Sequence, residues 1–133
     1  MSAEVTVRAA AIAALREDTV LMDGLNGLFD GQPVRASVPY AVVGECLASD
    51  WGAKGLDGRE LRLSISLHDA GETPGRLAVL LGRIEPVVQA MDAGDAGWRI
   101  VGVRLIRSRL VKARDRDGWQ AVVDYRLRVV REG

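Results

Sequence analysis

The sequence contains one cysteine and one histidine, Cys46 and His68, which are the two side chains that a thiol nucleophile and its general base would require. Both lie in segments with strand character, so a Cys–His dyad is one open alternative. No other residues complete a catalytic constellation, and this favours a half-buried structural thiol and a surface imidazole. One histidine with one cysteine also cannot form a closed zinc site. We predict a protein without enzymatic activity, metal or cofactor.

The carboxylates that are paired closely in the sequence, and could act as an acid and a base, stand in turn sequences. Asp92 and Asp95 lie on either side of Gly94, and Asp115 and Asp117 lie within the turn "RDRDG". The spacing is typical of solvated turns rather than of a paired-carboxylate site. The glycines of "DGLNGLFDG" do not lie between a strand and a helix with the spacing of a phosphate-binding loop.

The charge of the chain is unevenly distributed although its net charge is zero. From Trp98 onwards there are ten Lys and Arg residues against four Asp and Glu, whereas the rest of the chain has eight against fourteen. A basic segment can follow the phosphates of a nucleic acid, so a basic nucleic-acid-binding module is a second alternative. Single-strand binders interleave aromatic platforms with such charges, and aromatic residues make up only 5% of this chain. The same asymmetry would let the basic flank of one copy meet the acidic flank of another.

The elements that would position these residues are clearest in the middle of the chain. A helix is predicted from about Ala3 to Asp18, with Ser2 as its N-cap, and a strand from about Tyr40 to Leu47. The strongest signal is a strict alternation that predicts a strand with one buried and one polar face. Its apolar positions are Leu61, Leu63, Ile65 and Leu67, and its polar positions are Arg62, Ser64, Ser66 and His68.

The second half of the chain predicts a helix and a closing hairpin. The helix follows Thr73 and Pro74, and Pro86 inside it predicts a kink or break near Glu85. Two strands then flank "RDRDG", whose Asp117-Gly118 pair is a hairpin signal. Val101, Val103 and Leu105 are expected on the buried face of the first of these strands. Beyond them the alternation slips, which predicts a bulge near Ile106 to Ser108.

These elements predict an α+β fold, a two-layer sandwich with an antiparallel sheet of about four strands and two helices on one face. A further short strand near Leu28 and Phe29 is compatible with the pattern. The length of 133 residues predicts a single domain over residues 1–133. The N-terminal residues carry charges every few positions, unlike a signal peptide or a membrane span, so we expect a protein that is soluble and cytoplasmic when made.

In their order along the chain these segments resemble the tail-completion family of long-tailed phages and gene transfer agents, which includes tail terminators and head–tail joining proteins. The motif "PYAVVGE" carries most of the resemblance, and "DGRELRLSISLHD", an Ala/Leu-rich helix and the closing "YRLRVV" follow it. The resemblance covers nearly the whole chain. His68 departs from it, because such proteins often have an aromatic residue at that strand end.

The resemblance implies a structural protein of the virion or virus-like particle, made in the bacterial cytoplasm and located at the head-proximal end of the tail. It implies a homo-oligomeric ring, usually a hexamer, that terminates the tail tube and joins it to the head connector or stopper protein. DNA would pass through the lumen without sequence recognition, and no membrane would be involved.

Under this interpretation the connection "SDWGAKGLDG" is an assembly arm, mobile in the free monomer. Trp51 would be its anchor, Leu56 a secondary contact and Lys54 a steering charge. The alternative is a loop whose Trp51 folds back on its own sheet. Arginines of the closing hairpin would complete the interface: Arg104, Arg107, Arg109, Arg114, Arg116, Arg126 and Arg128.

Overall fold

The computed structural model describes residues 2–94, 97–114 and 116–132. Within these residues three helices and five strands follow one another. They are α1 (Ala3–Glu17), α2 (Thr19–Asp23), β1 (Gly27–Asp30), β2 (Tyr40–Asp50), β3 (Gly58–Asp69), α3 (Gly75–Ala90), β4 (Trp98–Lys112) and β5 (Trp119–Arg131).

The five strands form one sheet in the order β1-β2-β3-β5-β4. The α+β class with helices on one face of a sheet is confirmed. The sheet is mixed rather than wholly antiparallel and has five strands rather than four, because β1 pairs in parallel with Tyr40–Val43 of β2. This pairing involves only four residues, too few for an alternation to be recognised in the sequence.

The alternation in β3 places its apolar residues in the core, as predicted. Leu61, Leu63 and Ile65 are fully buried and lie opposite Leu127, Tyr125 and Val123 of β5. The helices α1 and α3 cover this face, to which they contribute the buried residues Val7, Ala11, Leu15, Leu77, Ile84 and Val88. We call this the helix side of the sheet and the opposite face the outer side.

A kink or a break was predicted near Glu85; the helix α3 continues through Pro86 to Ala90, so a break is wrong. Proline removes the hydrogen bond to the carbonyl of Gly82, and both residues lie on the exposed side of the helix, where water can replace that bond. On the opposite side Ile84 and Val88 are fully buried, and their burial offsets the cost of the proline.

Two bidentate ion pairs fix α3 to the rest of the molecule. Arg83 donates two hydrogen bonds to Asp18, at 3.1 and 2.6 Å, where α1 ends and α2 begins. Arg76 donates two to the buried Asp69 at the end of β3, at 2.8 and 2.5 Å. In both pairs the arginine hydrogen bonds lower the pKa of the aspartate.

The edge strand β4 contains two bulges. The bulge predicted near Ile106 to Ser108 is present, between Leu105 and Arg107. A second lies between Ile100 and Gly102 and takes Val101 out of the register of Val103 and Leu105. Val101 therefore does not share their face, contrary to prediction.

Among the described residues, no helix combines the length and the apolar character needed to cross a lipid bilayer.

Candidate assembly surface

Cys46 and His68 lie on opposite faces of the sheet. Cys46 is paired with Leu63 on the helix side, whereas His68 is paired with Tyr40 on the outer side. The five residue steps of β3 from Leu63 to His68 span about 17 Å. The structure therefore does not bring the two residues of the proposed dyad together.

His68 is buried rather than a surface imidazole. Its ring stacks on Tyr40 with centroids 4.5 Å apart, and its Nε2 lies 2.9 Å from the Ser66 hydroxyl. The ring of Phe29 also contacts Tyr40, in an edge-to-face arrangement with ring centroids 5.9 Å apart. Burial, with a smaller contribution from Arg116, lowers the pKa of His68. The histidine thus occupies an aromatic cluster at the strand end, as an aromatic residue would.

The thiol of Cys46 is expected to be unreactive at neutral pH. Burial, with the nearby Glu4 carboxylate, raises its pKa to about 11. The thiolate is the reactive form, so the rate of alkylation by iodoacetamide should keep rising to about pH 11 in the folded chain. The chain unfolded in guanidinium is the control, and its thiol should titrate near the ordinary value of about 8.5. A plateau of the folded-state rate below pH 9 would contradict this prediction.

Two aromatic residues of the closing hairpin are unavailable for stacking on bases. Tyr125 is fully buried on the helix side, and its hydroxyl donates to a Glu85 carboxylate oxygen at 3.2 Å. Trp98 is buried with the Arg131 guanidinium 4.3 Å above its ring. The third aromatic residue of the hairpin, Trp119, is half-buried, so the hairpin offers little of the aromatic stacking surface that the nucleic-acid alternative needs.

The predicted basic residues fall into two groups. Arg107, Arg116 and Arg128 contact their own chain, at Asp124 (3.2 Å), the Asp69 carbonyl (2.6 Å) and Glu60 (3.5 Å), respectively. The others lie on the outer side of the hairpin or at its tip, exposed or half-buried: Arg104, Arg109, Arg114 and Arg126. Arg104 and Arg126 are cross-strand neighbours, so two positive charges stand side by side.

The connection with Trp51 is a continuation of the β2–β3 hairpin. Ala53 and Leu56 exchange backbone hydrogen bonds of 3.0 and 2.8 Å, which closes a tight turn with Lys54 exposed at its tip. Trp51 is half-buried on its own sheet, and the Arg128 guanidinium lies 5.0 Å from its ring centroid. The indole also lies against Gly58, where an added Cβ would stand 3.1 Å from it.

The helix layer covers the start of β4 and leaves the rest of the strand uncovered. The 16 residues of α3 span about 24 Å, and the 15 residues of β4 about 50 Å. Leu105 therefore lies on the helix side and is still 41% exposed, contrary to the prediction that this face is buried. Five large apolar residues of β4 are exposed: Val101, Leu105, Ile106, Leu110 and Val111.

Exposed apolar side chains on a long edge strand, interspersed with arginines, are the features of a protein–protein contact rather than of a reaction site. The sequence indicated that arginines would be part of this surface. It did not indicate the exposure of the apolar residues, because that depends on where the helix layer ends.

Residues 9–130 match the family model described as tail completion protein gp17. The chain belongs to this family. This tail completion protein is thus a structural protein of a virion tail, and the resemblance noted in the sequence is confirmed.

A solved structure supports the same fold. A chain of the structure described as "Virion of native gene transfer agent (GTA) particle" matches with a TM-score of 0.80 at 20% sequence identity, over 98% of this chain and 99% of that one. At this identity the likeness demonstrates a common fold. Among curated proteins there is no match.

Proposed function

We propose that this tail completion protein acts as one domain over residues 1–133 and assembles into a homohexameric ring at the head-proximal end of the tail. The ring would end the growth of the tail tube and join it to the head connector or stopper protein. DNA would pass through its lumen without being read, and no catalysis would be involved. Six copies are proposed because the tail-completion proteins that the sequence resembles usually form hexamers.

The uncovered strand β4 is the observation that carries this proposal. An exposed edge strand with apolar side chains favours association, and in a stable monomer such an edge is normally covered or short. A patch on one copy that docks on a different patch of the next is a heterologous contact, which closes into a ring when the rotation between copies allows it. Subunit contacts of this kind would cover β4.

The charge distribution supports the same arrangement. The exposed Arg104, Arg109 and Arg114 lie on the β4–β5 hairpin, whereas the chain before Trp98 carries the excess of acidic residues. Opposite charges on the two contacting patches would favour head-to-tail docking over contact between identical patches.

The test is to remove this protein from cells that produce the particle and to image the products. We expect heads without tails, and detached tails of abnormal length, because nothing would stop the tube or attach it. Expression of the wild-type chain in the same cells should restore joined particles. Joined tails of normal length in cells without the protein would contradict the proposal.

A charge reversal at the tip of the hairpin tests the proposed contact with a partner ring. Arg114→Glu should lower the yield of joined particles by about tenfold or more, since one like-charge contact costs more than about 1.4 kcal/mol. Arg116→Glu is a less specific test of the partner contact, because Arg116 also donates a hydrogen bond to the Asp69 carbonyl of its own chain. Arg35→Glu, at an exposed arginine before β2, is the control. Unchanged yields for Arg114→Glu and Arg116→Glu would exclude the tip from the interface.

A further inference from the structure

The sheet has a second free edge, on the side opposite to β4. The strand β1 pairs only with Tyr40–Val43, so the second half of β2 has β3 on one side and no strand of the described residues on the other. Arg8 covers the start of this half by donating to the carbonyls of Val43 and Gly44, the latter at 2.7 Å. The backbone from Glu45 to Asp50 is left as an open edge.

The two open edges have compatible directions. Because β2, β3, β5 and β4 are neighbours in this order and each pair is antiparallel, β2 and β4 run in opposite directions. A second copy placed beside β4 by a rotation that keeps its helices on the same side would present its β2 antiparallel to β4. Strand directions would then alternate across the new pair as they do across β2, β3, β5 and β4.

The helix side of the β2 edge has an apolar groove. Val5, Ala9 and Ile12 of α1 line it together with Cys46 of β2, and its volume is about 210 Å³. Val5 is 54% exposed although it faces this groove. On β4 the large apolar residues exposed on the helix side are Leu105 and Leu110. A strand added to the β2 edge would place its helix-side residues over the groove, since side chains alternate across a sheet.

The charges of the two edges are complementary. Glu4 stands at the rim of the groove, where Asp30 is paired with Arg8 of its own chain, and Glu45 lies on the open edge itself. On the other edge, Arg104 and Arg109 are exposed on the outer side of β4. The pairing of acidic with basic patches would favour this contact over one between two β4 strands, where arginines would face each other.

We propose that β4 of one subunit adds to the free half of β2 of the next, so that a continuous intersubunit sheet closes the ring. Leu110 would enter the groove beside Cys46 of the neighbour, because a register with Leu105 at this place would run the end of β4 into β1. This inference rests on the proposed ring and names the two surfaces that form it.

Disulfide trapping with Cys46, the one native cysteine, tests this pairing. Val103→Cys, Leu105→Cys and Leu110→Cys each add one thiol on the helix side of β4, and Arg104→Cys adds one on the outer side as the matched control. Within a subunit, β2 and β4 are three strand spacings or about 14 Å apart, beyond the roughly 7 Å that a disulfide spans. Any disulfide with Cys46 is therefore intermolecular.

The variants are produced in the particle-forming cells, and purified particles are oxidised at pH 9 with copper phenanthroline. We expect a ladder of crosslinked multimers for at least one helix-side variant and none for Arg104→Cys. Peptide mass spectrometry should find Cys46 joined to the engineered position. The same variants with Cys46→Ala should lose the ladder.

Particles that contain the protein but show no Cys46 crosslink at all three helix-side positions would overturn the edge pairing and leave the tail function intact. Dimers joined through two engineered thiols would overturn it in favour of a contact between two β4 strands. Joined particles that lack the protein would contradict the proposed function and this inference with it.

Discussion

Replacing Trp51 with alanine is expected to reduce the yield of infectious or transducing particles about 100-fold or more while the chain stays folded. Within the chain the indole packs on Arg128 beside Val101 to Arg104 of β4. Loss of this cation–π contact should cost about 0.5–1 kcal/mol and lower Tm by a few degrees. An aromatic anchor at a subunit interface contributes about 2–4 kcal/mol, and a ring repeats that loss at every contact.

Two variants separate an anchoring role from a local packing role. Trp51→Phe keeps an aromatic ring over Arg128 and should recover part of the yield. Val79→Ala removes an exposed apolar side chain from α3, away from the proposed interface, and should leave the yield unchanged. Wild-type particle yields from Trp51→Ala would show that Trp51 only folds back on its own sheet, the alternative described above.

The variant Asp69→Asn should destabilise the fold more than Trp51→Ala does, and should lower the free energy of unfolding by about 2 kcal/mol at pH 7. The Asp69 carboxylate is 3% exposed and accepts two hydrogen bonds from Arg76 and one from the backbone N–H of Ala70. Hydrogen bonds to a charged group contribute about 1.5–3 kcal/mol, and an amide cannot replace both arginine bonds. Chemical denaturation of the purified chain measures the difference.

The pH dependence of stability follows from the same carboxylate. Its pKa in the folded chain is below the ordinary value of 3.8, so its contribution is fully present above that value and is lost as the pH falls through the folded-state pKa. The free energy of unfolding of the wild type should therefore fall below pH 4, and Asp69→Asn should flatten this fall.

The matched control for Asp69 is Asp57→Asn. Asp57 also pairs with arginines, Arg59 and Arg131, but its side chain is 45% exposed, so its loss should have a small effect at pH 7. Equal destabilisation by the two variants would contradict the special contribution of the Asp69–Arg76 pair.

Local patterns in the sequence predicted most of the fold. The alternation around Leu63 determined which face of β3 is buried, and the Asp117-Gly118 pair predicted the hairpin that joins β4 and β5. The features of the fold that these patterns could not predict depend on residues far apart in the sequence. The parallel pairing of β1, the passage of α3 through Pro86 and the contact of Arg83 with Asp18, 65 residues away, have no local signal.

The candidate surface was predicted less completely, for a physical reason. A leucine at an alternating position indicates which side of a strand it is on, but not whether a helix lies above it. Leu105 is on the predicted side and exposed because α3 ends before it. The open edge of β2 likewise follows from the shortness of β1. Arg104 and Arg126 stand side by side because of the hairpin register, which the turn sequence alone did not specify.

The most direct measurement is electron cryomicroscopy of intact particles, with the density at the junction of head and tail fitted by this chain. We expect a ring of six copies between the tail tube and the head connector, with β4 of each copy covered by its neighbour. Density for this chain at another position in the particle, or a junction in which its β4 strands face solvent, would contradict the proposed ring.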